Sequence, residues 1–135
     1  MPKASSSGVQ VIWREALCDG EMTWQGAMYS RRRLVCHAIL AFDEQRPERL
    51  WLEQVETEPQ YRRHGYATIM LQSAINMFRS EFRELCLVIR PFGNRQGAMS
   101  AARLQIFYRK AGFQETEERR KAFSVWSLSL QQPLE

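Results

Sequence analysis

The chain is poor in the residues that metal and thiol chemistry require. Its three cysteines, Cys18, Cys36 and Cys86, lie far apart without a Cys-x-x-Cys pair, and His37 and His64 are its two histidines. That inventory has no zinc-ligand spacing, and an odd cysteine count without a framework predicts free thiols in a reducing compartment. No stretch approaches the roughly 18 apolar residues that a membrane span needs. The opening MPKASSSG has no apolar core, so residues 1–8 read as a short loose tail and not as a signal peptide. One domain over residues 9–135 and a cytoplasmic location are expected. Also missing are a Gly-x-Ser-x-Gly elbow, a P-loop ending in Gly-Lys-Ser/Thr and the Gly-x-Gly-x-x-Gly dinucleotide fingerprint. There is no internal repeat and no low-complexity segment.

What is present is an ordinary globular mixture, 44% hydrophobic and 25% charged over 135 residues, enough to bury one core. The formal charge of +4 suits an anionic partner. A balance that small is common, and nothing resembles a helix-turn-helix or an RNA-recognition signature, so it carries no nucleic-acid assignment.

Apolar residues first recur with the period of strands. VQVIWREAL (residues 9–17) and MTWQGAMYS (22–30) flank the Asp-Gly turn of CDGE. Gly26 is expected to weaken the second strand or to mark a bulge. RLVCHAILAF (33–42) is strongly apolar, and RLWLEQVET (49–57) alternates. A regular strand there puts Leu50, Leu52 and Gln54 on one face and Trp51, Glu53 and Val55 on the other, with Glu56 opposite Glu53. Four strands in series predict an antiparallel meander. After Pro59 the period turns helical, with Ala67, Met70, Leu71, Ala74 and Phe78 on one stripe of residues 65–82. ELCLVIR (84–90) is a short continuous apolar run, as in a buried central strand. PFGNRQG breaks it. A second helix over 98–113 aligns Ala101, Leu104 and Tyr108 and stops at Gly112. FQETEERRKAFSVWSLSL (113–130) closes as a hairpin. The class is α+β, ordered ββββ-α-β-α-ββ, a mixed sheet with helices packed on it and a right-handed parallel β-α-β unit. An exposed edge strand at the C-terminus could pair two chains as a homodimer.

One stretch stands out between the fourth strand and the first helix: EPQYRRHGYA, Glu58 to Ala67. A helix start has unpaired N–H groups and a positive dipole end, and therefore attracts anions. Gly65 permits an unusual dihedral or a close approach by a ligand. Ala67 is small, and Arg62, Arg63 and His64 bring charge. The stretch reads either as a seat for a pyrophosphate or as a solvated loop.

Arg62-x-x-Gly65-x-Ala67 between a strand and a helix resembles the acyl-CoA signature of the GNAT superfamily of N-acetyltransferases, Gln/Arg-x-x-Gly-x-Gly/Ala. FYRKAGFQE, Phe107 to Glu115, is similar to that family's Tyr-x-Lys-x-Gly-Phe ending. Both motifs fall in the family's order, and the resemblance covers about residues 33–128. It implies a GNAT-like sheet splayed between the fourth and fifth strands, with acetyl-CoA inserted there as cosubstrate. Two departures stand beside it. The helices usual between the family's first two strands have little room here, and the Asn found seven residues before the Tyr is Ala101.

The resemblance implies an N-acetyltransferase acting on a primary amine by direct attack in a ternary complex. The alternative is a degenerate, non-catalytic acyl-CoA-binding or protein-interaction module. The backbones of Val55 and Thr57 would pair with the pantetheine arm, and Val55 N–H would receive the oxyanion. The pyrophosphate would sit among Arg62, Arg63, His64, Gly65, Tyr66, Ala67 and Thr68. Glu53, nine residues before Arg62, is the candidate base. Tyr108 is the candidate acid, because a phenol stays protonated at neutral pH. The amine acceptor is open among a small molecule, a protein amine and an aminoacyl-tRNA. Cys86 reads as a small buried hydrophobe, and Trp13, Trp24 and Trp51 as packing residues or the wall of an acceptor cleft.

Overall fold

The computed structural model describes residues 8–89 and 100–130; residues 1–7 of the expected tail and 98–99, the start expected for the second helix, lie outside them. Asp19 and Gly20 both adopt positive φ, 52° and 80°, the geometry of a two-residue turn whose twist matches that of the strands it joins. They connect β1 (Val9–Cys18) to β2 (Glu21–Ser30). Arg31 and Arg32, at φ 52° and 68°, repeat this turn into β3 (Arg33–Phe42), and β4 (Arg49–Thr57) completes the meander. Then come α1 (Tyr66–Phe78), β5 (Glu84–Val88), α2 (Ala101–Ala111), β6 (Gln114–Arg120) and β7 (Phe123–Ser129).

The strands form one sheet in the order β1-β2-β3-β4-β5-β7-β6. The β4–β5 pair is parallel and the others are antiparallel. The C-terminal strand β7 lies inside the sheet between β5 and β6, so the edges are β1 and β6 and the expected C-terminal edge strand is displaced by one position. Both crossovers, β4-α1-β5 and β5-α2-β6, run the same way across the sheet. A right-handed hand for each puts both helices on one face. There Leu71, Ala74, Ile75 and Phe78 of α1 pack with Leu40, Leu50, Leu52, Leu85, Leu87 and Trp126, and Tyr108 and Ala111 of α2 join the same cluster. The opposite face carries a smaller cluster of Ala41, Trp51, Cys86 and Val125, to which no described helix contributes.

Two features depart from a simple alternating pattern. Gly26 marks no bulge: the register of β2 shifts between Met28 and Tyr29. A Cβ at Gly26 would meet the Trp13 ring at 2.6 Å. The glycine instead makes room for an indole laid across the strand. Trp13 is fixed there by its Nε1–H bond to Ser73 Oγ at 3.0 Å and by an edge-on contact with Phe78 at 5.4 Å. The second departure is in β4. Gln54 pairs with Ile39 and Leu52 with Leu40, so Glu53 is an extra residue and β4 is bulged there. Past the bulge, Val55 packs beside Ala38 and Met70 on the helix-covered side, and Gln54 bonds Glu56 and approaches His37 on the other. The faces expected for Gln54 and Val55 are therefore exchanged.

Gly26→Ala forces a methyl into the Trp13 ring and should destabilise the fold by about 2 kcal/mol, within the range of overpacked cores. Urea unfolding checks this; an unchanged midpoint would mean that Trp13 repacks without strain.

Candidate active site

β4 and β5 are paired only at Arg49–Glu84, Leu50–Leu85 and Trp51–Cys86. Beyond Trp51 they separate, while β4 stays paired with β3 as far as Thr57 opposite Cys36. Among the described residues no strand pairs with this edge of β4 from Leu52 to Thr57, which thus borders a gap. Buried N–H and C=O groups require partners, and a slender ligand bearing amides could supply them by pairing as a strand would. The residues present fit a pantetheine arm.

The gap leads to the loop before α1. Pro59–Tyr61 forms a 3-10 turn, closed by the Tyr61 N–H on the Glu58 carbonyl at 2.8 Å. Arg62 is extended, and Arg63 at φ 69° and Gly65 at φ 81° are left-handed. A loop of this kind turns successive N–H groups toward one point, a concavity suited to an anion. The α1 start has no acidic residue in its first turn and no side-chain hydrogen bond at its cap, so its dipole end is not neutralised from within. A Cβ on Gly65 would meet nothing within 4 Å. The space beside this glycine is open, and its dihedral is one that other residues adopt only with strain.

The side chains of the loop are arranged less uniformly. Arg62 donates from Nε to the Thr57 carbonyl at 3.3 Å, tying the loop to the end of β4. Arg63, His64 and Thr68 are exposed, and Tyr66 and Ala67 are half-buried. His64 leans on Tyr66, with ring centroids 5.8 Å apart.

Glu53 lies at the bulge, where β4 has just left β5. Its Oε2 is 3.6 Å from Nη1 of Arg120, and both side chains are 40% exposed. Because of the bulge, Glu53, Gln54 and Glu56 all lie on the helix-free side. Gln54 Nε2 donates to Glu56 Oε1 at 2.8 Å, and His37 Nε2 is 3.7 Å from that oxygen. The regular-strand expectation that Glu56 points away from Glu53 therefore fails. The step from Leu52 to Val55 is odd, and two polar residues stand side by side between them. That break of phase was the readable signal for the bulge.

Tyr108 packs edge-on against Phe107 and Phe113 at 5.0 and 5.5 Å, in the same apolar cluster as Val55 and Ile89. Burial pushes its phenol up to about 12, so the group carries its proton throughout the neutral range. Cys86 is fully buried and accepts from Arg49 Nε at 3.3 Å. Burial, the largest influence, pushes its thiol up to about 11, which leaves it protonated and a poor nucleophile. Trp13 and Trp24 pack on Phe78 in the core. Trp51, with Glu53 and Arg120, lines a cleft of about 610 Å³ on the helix-free side. Sequence reasoning did not find Arg120, since nothing in a charged hairpin shows which arginine folds back onto β4. Among the described residues no His/Cys/Asp/Glu group could hold a metal ion, and no helix is long and apolar enough to cross a membrane.

Residues 6–113 match the family model described as Acetyltransferase (GNAT) family. The chain belongs to that family. No curated protein sequence matches significantly. Among solved structures, the fold is similar to the PaiA N-acetyltransferase of Thermoplasma acidophilum in complex with coenzyme A, at TM-score 0.61 and 15% identity over 78% of this chain and 59% of that one. It is similar also to the ribosomal-protein-S18-alanine N-acetyltransferase of Escherichia coli, at 0.65 and 18% over 84% and 72%. A GNAT family acetyltransferase of Elizabethkingia anophelis with acetyl-CoA bound gives 0.68 and 9% over 92% and 99%. The chain spans less than two thirds of the Thermoplasma protein.

Gly65→Glu places a carboxylate in the open space beside the nest. Wild-type protein should gain about 2.7 kcal/mol of stability from coenzyme A at 100 times its Kd; the variant should gain none. Thermal unfolding with and without coenzyme A reads both. A second expectation concerns alkali. A phenol whose folded pKa lies above its unfolded value near 10 contributes stability that is complete below pH 10 and is lost as pH rises toward 12. Tyr108→Phe should flatten that part of the stability–pH curve.

Proposed function

We propose that the chain transfers the acetyl group of acetyl-CoA to a primary amine by direct attack in a ternary complex. The observation that carries the reading is the parting of β4 from β5 after a three-residue ladder, in line with the Gly65 nest. One element, β4, then presents a pairing edge for the pantetheine amides and leads at its end to a seat for the pyrophosphate.

Each step is assigned to one residue, three of them on β4 or its following loop and Tyr108 on α2. Glu53 takes a proton from the acceptor's ammonium, directly or through a water, which frees the nitrogen lone pair to attack the thioester carbonyl carbon. Val55 N–H donates to the carbonyl oxygen as negative charge grows there. Tyr108, held protonated by burial, gives its proton to the sulfur as the carbon–sulfur bond breaks, and the extra proton on the attacking nitrogen returns to the phenolate as the amide forms. The backbone around Arg63 to Thr68 holds the pyrophosphate. Arg62 acts on the geometry of the loop, through its bond to Thr57, while its charge adds to the local field.

Tyr108→Phe separates this reading from that of a non-catalytic acyl-CoA binder. The variant should lose between about 10² and 10⁴ of kcat, the usual worth of a positioned proton donor, and keep its affinity for coenzyme A. Thiol release and coenzyme A binding, measured together, decide it. Wild-type protein that binds coenzyme A but acetylates no amine would point to the binder.

A further inference from the structure

The cleft on the helix-free side is filled in an informative way. Arg120 is the last residue of β6, and its guanidinium carbon lies 4.2 Å from the Trp51 ring centroid while Nη1 lies 3.6 Å from Glu53 Oε2. An aromatic face and a carboxylate together make a binding site for an organic cation. We propose that Trp51 and Glu53 form the subsite for the acceptor's ammonium group, that Arg120 occupies it when no acceptor is bound, and that the acceptor is an alkyl primary amine without a carboxylate, which displaces Arg120. This rests on the acetyltransferase reading above and names the class of amine.

Several observations converge on a cation. Glu53 is the bulge residue, at the point where β4 has left β5, so an ammonium held there is beside the gap and next to the Val55 backbone. Asp43 accepts from Trp51 Nε1 at 3.0 Å and from the N–H groups of Gln45 and Arg46, which holds the indole in place independently of Arg120. The other basic residues on the wall are engaged. Arg49 donates to Glu118 and Cys86, Arg46 pairs with Glu48, and Arg119 donates to the Ala122 carbonyl. Glu21 and Glu44 also line the cleft. With Arg120 swung out, the wall is left with a surplus of carboxylate, which favours a cationic ligand over a zwitterion.

Displacement asks little of the fold. A half-exposed ion pair of this length contributes little to stability. Arg120 precedes the turn residues Lys121 and Ala122, which stand at φ 53° and 74°, so its side chain leaves toward solvent at the end of a hairpin. The shared chemistry is an alkylammonium, carried either by a free amine or by a lysine side chain.

The test follows the Trp51 indole N–H by NMR in ¹⁵N-labelled protein, its resonance identified by its loss in Trp51→Phe. The probes are n-butylamine, Nα-acetyl-lysine amide and, as zwitterion, β-alanine. Both alkylammonium probes should move the resonance, and the one that binds more tightly assigns the source. Arg120→Ala should bind about tenfold more tightly, because Arg120 no longer competes for Glu53 and the indole face, while Arg49, 4.7 Å from the Trp51 ring centroid, stays held by Glu118 and Cys86; β-alanine should bind neither protein. Arg120→Gln, which keeps a polar side chain, serves if the alanine variant does not fold. No shift with either alkylammonium, weaker binding in both Arg120 variants, or preference for β-alanine would overturn the proposal. The same samples are assayed for thiol release from acetyl-CoA. A shift without turnover keeps the cation subsite and removes the acetyltransferase reading; turnover without a shift removes only the subsite.

Discussion

The rest of the molecule depends on a parallel pair of strands that does not continue. β4 and β5 share three residue pairs and then separate. Two strands of such a sheet would ordinarily stay paired for their whole length, since each lost ladder bond leaves a donor and an acceptor to satisfy. Here the bulge at Glu53 turns the β4 backbone while β3 continues to hold its other edge. Among the described residues no strand pairs with that edge of β4 beyond Trp51, and the left-handed turn at Gly65 follows the end of β4.

Arg49 holds the apex of the fork. It is 2% exposed, begins the β4–β5 ladder, and its guanidinium reaches Cys86 and Glu84 on β5 and Glu118 on β6. Its carbon also lies 4.7 Å from the Trp51 ring centroid. Among the described residues its Nη2 has no hydrogen-bond partner. A buried charge is costly unless well paired, and removing one partner of such a group leaves an uncompensated ion. Arg49 therefore ties three strands together at the position where the sheet begins to open. The two faces then divide the work. The helix-covered face carries the large apolar cluster and the α1 start, whereas the opposite face is left with a small cluster and a cleft beside Glu53.

Much of this was legible from local pattern. The Asp19-Gly20 turn, the change of period after Pro59 and the Gly112 helix stop each rest on a local backbone requirement, and each appears where the pattern puts it. Gly112 is left-handed at φ 109°, with the Phe113 N–H closing on the Tyr108 carbonyl. Arg62-x-x-Gly65-x-Ala67 was legible for the same reason, because the left-handed dihedral at Gly65 excludes most other residues. Gly26 was misread because its role lies in a neighbouring strand: only the pairing of Trp13 with Gly26 shows that an indole needs the space. The bulge at Glu53 was missed because alternation was carried through a stretch where the step from Leu52 to Val55 breaks it.

By itself, the sequence determined the class of fold, the order of its elements and the position of the glycine turn that opens the first helix, since each follows from hydrophobic period, turn chemistry or the freedom of one glycine. Only the tertiary structure decided which side of β4 carries Glu53, Gln54 and Glu56, what Arg62 holds, and that Arg120 lies on Trp51. Those outcomes depend on register between strands and on side chains that meet across 67 positions, from Glu53 to Arg120. No local pattern encodes such a contact, because it exists only once the sheet has closed.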